Sequence, residues 1–153
     1  MKKLEIQGFK LIGISLKTKT TNENGQSAID CGRLWQKFET ENYANNIPGK
    51  VGNEIVAVYH DYDGDYTHPF SYFIGCKVSS NAAAPAGMDS LFIPKGNYQK
   101  FIAKGIIPAC IGNTWKEIWN TDINRAYQFD FEIYDDRSKD WNNAEVDIFI
   151  SLK

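Results

Sequence analysis

Phe129-Asp130-Phe131-Glu132-Ile133-Tyr134 alternates apolar and polar side chains with period two, the pattern of a β-strand with two unlike faces. Phe129, Phe131 and Ile133 share one face and seal a core, while Asp130, Glu132 and Tyr134 share the other. That second face is either wet, the usual fate of carboxylates, or it carries an acid and an aromatic into a cavity made by the rest of the chain. The surrounding sequence has to decide between the two.

Downstream, Asp135 to Asn143 reads as a turn. Residues 145–152 then alternate again, with Val146, Ile148, Ile150 and Leu152 set against Asp147, Phe149 and Ser151. Upstream, Ile111, Trp115, Ile118 and Trp119 recur at helical spacing over 109–120. Residues 89–103 are extended, interrupted by Pro94-Lys95-Gly96-Asn97. Asn81 to Gly87 is an exposed connection.

The first half runs through the same order. Residues 4–17 predict one long strand, bent near Gly8 or Gly13. A stripe of Ala28, Cys31, Trp35 and Phe38, widened by Leu34, predicts a helix over 26–43 that ends before Pro48-Gly49. Residues 54–60 and 70–78 predict a hairpin, with Gly75 marking a bulge or a close backbone approach. Its turn, Asp61-Tyr62-Asp63-Gly64-Asp65-Tyr66, superficially suggests a calcium loop but lacks the closing bidentate Glu, so no metal is expected.

Strand, helix, strand, strand therefore occurs twice, once over about residues 1–80 and again over about 88–153. Tyr59 precedes the first hairpin turn as Tyr134 precedes the second, and Trp35 and Trp115 hold comparable places on the two helices. The expected architecture is α+β, with two pseudo-symmetric βαββ repeats joined into one antiparallel curved sheet. Both helices would cover one face. The opposite face would be concave, with a central ligand groove where the halves meet. Residues 1–153 would form a single domain.

Composition narrows the function. A hydrophobic fraction of 42% supports a true core, and an aromatic fraction of 14% suits both cores and binding pockets. The net charge of −2, from 17 basic and 19 acidic residues without a basic cluster, argues against direct nucleic-acid binding. Cys31, Cys76 and Cys110 have neither metal nor disulfide-framework spacing, which fits reduced thiols in the cytoplasm. The N-terminus has no long apolar run after its lysines, so no signal peptide is expected. No stretch approaches the about 18 apolar residues of a membrane span.

With these elements in place, the chain resembles the GyrI-like, or AraC-type effector-binding, domain family, in particular its free-standing members carried on mobile gene cassettes. Leu34-Trp35-Gln36-Lys37-Phe38 is similar to the family's first helix. Val58-Tyr59-His60-Asp61-Tyr62 and Phe70-Ser71-Tyr72-Phe73-Ile74-Gly75 are similar to its first hairpin. Ile93-Pro94-Lys95-Gly96-Asn97-Tyr98 and Phe101-Ile102-Ala103-Lys104-Gly105 lead to Trp115-Lys116-Glu117-Ile118-Trp119, the second helix. Phe131-Glu132-Ile133-Tyr134 fits the family's Phe-Glu-x-Tyr signature.

The resemblance implies a groove at the pseudo-twofold with Glu132 deep inside it, ringed by aromatics. In multidrug-responsive relatives the equivalent acid meets lipophilic cations. Such relatives usually carry a DNA-binding domain, and none is read here, which suggests a sensor acting with a separate regulatory protein, a sequestering protein, or the relic of a longer regulator. Other relatives open strained cyclopropane rings hydrolytically, the same carboxylate helping to activate water or polarise the substrate, and gyrase-inhibiting relatives bind another protein.

An ionised carboxylate in an apolar pocket is costly without a partner. A lipophilic cation supplies the countercharge, gaining about 4 kcal/mol at about 4 Å and an effective dielectric of about 20 before desolvation. Each face-on aromatic ring adds about 0.5–2 kcal/mol. Glu132 should have a raised pKa, through burial and through Asp130 if both point inward.

The candidate ligand contacts are Glu132, Tyr59, Tyr98, Tyr134, Trp35, Trp115, Tyr72 and Phe149. Phe73 points the other way along its strand and is assigned to the core. Asp130 is expected at the rim or surface, and His60 and His68 in solvent. No Ser or Cys has a nucleophile setting, so no catalytic residue is assigned and no cofactor is expected. The expected function is non-catalytic binding of a lipophilic, cationic small molecule by a monomer or homodimer, with the hydrolase using Glu132 as the alternative.

Overall fold

The computed structural model describes residues 2–153; Met1, which opens the expected first repeat, lies outside them. The described residues form eight strands: β1 (Lys2–Ile6), β2 (Phe9–Ser15), β3 (Lys50–His60), β4 (Ser71–Val78), β5 (Asp89–Ile93), β6 (Gly96–Gly105), β7 (Asp130–Tyr134) and β8 (Ala144–Ser151). Two helices, α1 (Gln26–Thr40) and α2 (Ala109–Trp119), follow β2 and β6. The strands make one curled antiparallel sheet in the order β1-β6-β8-β7-β3-β4-β2-β5.

That order is symmetric about the β3–β7 ladder. Outward from it run β4, β2 and β5 on one side and β8, β6 and β1 on the other. The expected duplication is therefore present, with units β2-α1-β3-β4 and β6-α2-β7-β8. The expected single strand over 4–17 is instead two. The chain breaks at Gln7-Gly8, so that β1 pairs with β6 of the other unit while β2 pairs with β4 and β5. A β-carbon at Gly8 would meet the Phe92 ring at 2.9 Å and the Ile93 carbonyl at 3.1 Å, so the crossing leaves no room for a side chain. Each unit thus takes its outermost strand from the segment that precedes the other.

The elements start and stop where the backbone chemistry requires. α1 begins after Gly25, at φ 71°, and ends short of the expected 43 because Asn42 turns left-handed at φ 55°. β7 begins only at Asp130 because the chain at Tyr127 is also left-handed, at φ 53°. Gly13 and Gly75 are register partners across β2 and β4. A β-carbon on either would run into the other strand's backbone, which is the close approach expected at Gly75.

Both helices pack on one face of the sheet. Leu34 and Phe38 of α1 bury against Ile12, Ile14, Ala57, Tyr72 and Ile74. Trp115 and Ile118 of α2 bury against Phe101, Ala103, Val146, Ile148 and Ile150. The other face is not the expected groove. Leu11, Val56, Val58, Phe73, Ile93, Tyr98 and Phe131 fill the curl of the sheet as a third apolar cluster. The open space lies on the helix side, between α1 and α2.

Candidate ligand-binding site

A cavity of about 1450 Å³ separates the two helices. Its floor is the central β3–β7 ladder, where Ala57 pairs with Glu132 and Tyr59 with Asp130. Alternation along β7 sends Phe131 and Ile133 to the far cluster and turns Asp130, Glu132 and Tyr134 toward the helices.

Glu132 has no solvent-exposed surface. Its carboxylate accepts from three side chains on three elements or their edges: the Tyr59 hydroxyl at 2.8 Å and the Trp115 indole N–H at 2.7 Å on Oε2, and the Tyr134 hydroxyl at 2.7 Å on Oε1. Burial pushes its pKa up, and the hydrogen bonds from Trp115, Tyr134 and Tyr59 pull it partly back, leaving it above the usual carboxylate value. Asp130 does not contribute to that rise, contrary to expectation. The tyrosines shift in the same direction: burial and the adjacent carboxylate hold Tyr59 and Tyr134 well above 10, so both remain protonated donors.

Above this floor the rings form a box. Tyr59 lies 4.7 Å from Trp115 and 4.9 Å from Tyr72, and Trp35 lies 4.7 Å from Tyr134, between ring centroids. The Trp35 indole N–H donates to the Tyr72 hydroxyl at 2.7 Å. Each helix thus lowers one tryptophan onto the sheet, and each indole is held by one hydrogen bond. A phenol that donates to an anion gains electron density on its ring, so the faces turned toward the cavity suit positive charge.

Of the expected contacts, Glu132, Tyr59, Tyr72, Tyr134, Trp35 and Trp115 come together here. Tyr98 and Phe149 do not. Phe149 stacks on Phe131 at 4.9 Å and Tyr98 meets the same ring edge-on at 5.2 Å, inside the curl and behind the floor. Both share the face of Phe131, so period two excludes them from a cavity that contains Glu132. Phe73 lies in the same far cluster, as expected.

Asp130 corrects a second expectation. It is not at a rim but has no exposed surface. Its oxygens accept from Arg125 Nη2 at 2.8 Å, the Tyr62 hydroxyl at 2.5 Å, and the Ser151 backbone N–H and hydroxyl at 2.7 and 3.0 Å. His60 is not solvated either. It stacks on Phe129 at 5.7 Å, and burial lowers its pKa. Arg125, Tyr62, Tyr66, Phe70 and Trp119 also line the cavity without having been expected there. The only signal for Arg125 was general: a buried carboxylate needs either a cation or several hydrogen-bond donors nearby.

A curled sheet with two helices around a central aromatic cavity defines an effector-binding domain that takes up small molecules. Residues 4–152 match the family of integron-associated effector binding proteins, Cass2, and the chain belongs to that family. The integron cassette protein VCH_CASS2 from the mobile metagenome of Vibrio cholerae is 28% identical, with a TM-score of 0.76 over 99% of this chain and 95% of that one. YobU of Bacillus subtilis (strain 168), named as a candidate transcriptional regulator, is 28% identical over 124 residues, 78% of each protein. The fold is also that of SAV2435, solved bound to tetraphenylphosphonium, at a TM-score of 0.79 and 18% identity over 99% of this chain and 93% of that one.

Proposed function

We propose that the protein binds lipophilic cations reversibly and without turnover, acting in the cytoplasm as one ligand-binding unit over its whole length. The observation that carries this reading is the Glu132 carboxylate, shut away from water beneath a box of five aromatic rings. A cation with apolar substituents buries hydrocarbon against Trp35, Tyr72 and Trp115 while its charge is balanced through Tyr59 and Tyr134 by the acid behind them. None of these terms demands close shape matching, so selectivity should be broad. The tetraphenylphosphonium bound by SAV2435, a protein of the same fold, has this chemistry. Three fixed donors already occupy the Glu132 carboxylate, which leaves little room for a water beside it.

The test is titration calorimetry with tetraphenylphosphonium on the native protein and on Glu132→Gln. Saturable binding that weakens about tenfold or more in the variant supports the reading, each factor of ten being about 1.4 kcal/mol. Equal affinities would remove Glu132 from it. A cyclopropane-bearing alkylator incubated with the native protein should be recovered intact.

A further inference from the structure

The cation site makes no use of Arg125. This residue lines the same cavity, is 6% exposed, and spends one contact on Asp130, through Nη2 at 2.8 Å. Nε and Nη1, which carry most of its N–H groups, are buried and have no hydrogen-bond partner among the described residues. The guanidinium carbon sits 4.1 Å from the centre of the Tyr127 ring and 5.9 Å from that of Trp115. The group lies over the Tyr127 ring with Trp115 beyond it, and its one hydrogen bond anchors it to Asp130. Buried donors of a charged group are costly to leave unpaired, so a position like this is suited to an acceptor brought from outside.

We infer that Nε and Nη1 of Arg125 form a second subsite of the cavity, which takes a neutral hydrogen-bond acceptor, such as a carbonyl oxygen, carried by the cationic ligand. The inference rests on the cation reading, because it names a second group on the same molecule. Trp115 links the two positions, since its indole N–H donates to Glu132 at 2.7 Å while its ring lies 5.9 Å from the Arg125 guanidinium. A ligand that spans one indole reaches both.

Charge decides that the acceptor is neutral. Asp130 already balances Arg125. An anionic group there would add a buried negative charge beside Asp130 and in the same wall as Glu132. A carbonyl satisfies the bare donors and adds no charge. Ligands of this class are planar or propeller-shaped organic cations bearing a ketone, ester or amide, as distinct from purely hydrocarbon cations.

The test uses a matched pair of probes, (4-acetylbenzyl)triphenylphosphonium and (4-isopropenylbenzyl)triphenylphosphonium, which differ by a carbonyl oxygen against a methylene of similar size. Calorimetry on the native protein should show the ketone binding about tenfold tighter. The infrared carbonyl stretch of the bound ketone should move to lower frequency than in water. In Arg125→Met/Asp130→Asn, which removes both charges of the pair together, the ratio of the two affinities should fall to about one. Equal binding of both cations by the native protein, or a preference that survives the double substitution, overturns the subsite and leaves the cation site standing. If neither cation binds, the cation reading itself fails and the subsite with it. The comparison of probes on the native protein, with the carbonyl stretch, stands without the variant.

Discussion

Asp130 and Glu132 stand two positions apart on β7, turn to the same side and expose no surface, yet they are stabilised by opposite means. Asp130 is matched by the full charge of Arg125, whereas Glu132 is surrounded by three neutral donors. The first carboxylate is balanced within the chain. The second has no countercharge among the described residues and is held by neutral hydrogen-bond donors alone.

Glu132 should couple both stability and binding to pH. Its folded pKa is raised, chiefly by burial. The associated stability is complete below the ordinary value of 4.5 and is lost as pH rises through the higher folded value. Glu132→Gln removes that loss. Thermal unfolding should find the variant more stable than the native protein at pH 8 and nearly equal to it at pH 4. Cation affinity should rise with pH over the same interval, with a proton released on binding, measurable by calorimetry in buffers of different ionisation enthalpy.

Trp115→Phe deletes the indole donor and keeps the ring. Leaving a buried acceptor short of one partner should cost about 1–3 kcal/mol in urea denaturation. Because that hydrogen bond lowers the acid's pKa, the pH midpoint of cation binding should move up.

Asp130→Ala strands the Arg125 guanidinium without its carboxylate in a buried position. Breaking such a pair from one side is expected to cost about 3–5 kcal/mol, read from denaturant titration. Asp130→Ala/Arg125→Met should recover a large part of that loss.

Phe149→Leu tests which side of the sheet matters. It should cost about 1 kcal/mol of stability by loosening the stack on Phe131. Tetraphenylphosphonium affinity should be unchanged, because the sheet stands between Phe149 and the cavity. A tenfold loss of affinity would mean that the ligand enters the curl instead.

Gly75→Ala should destabilise by about 1–3 kcal/mol, because the new methyl has to displace the β2 backbone. Leu11 and Ile12 on that strand would move with it, so the melting transition should also broaden.

The duplicated architecture was legible because each element carries its own period. The alternation at 129–134 and the stripes through Trp35 and Trp115 survive without tertiary information. Period two also states which residues share a face, and it placed Glu132 with Asp130 and Tyr134 and against Phe131. It does not state which face stays open. Tyr98 and Phe149 were assigned to the cavity on chemical type, and chemical type does not distinguish a ring that fills a curl from one that lines a hollow. Arg125 lies in a stretch without regular alternation, where nothing local fixes direction. The break at Gln7-Gly8 depends on two partners about 90 residues downstream, Gly96 for Ile6 and Ile93 for Phe9, and local pattern carries no trace of them.

The exchange of outer strands has a mechanical meaning. Each unit is laced to the other at the margin of the sheet as well as along its middle, so the halves cannot hinge apart without unzipping β1 or β5. The spacing of α1 and α2 is therefore set by two edge ladders as well as by the central one.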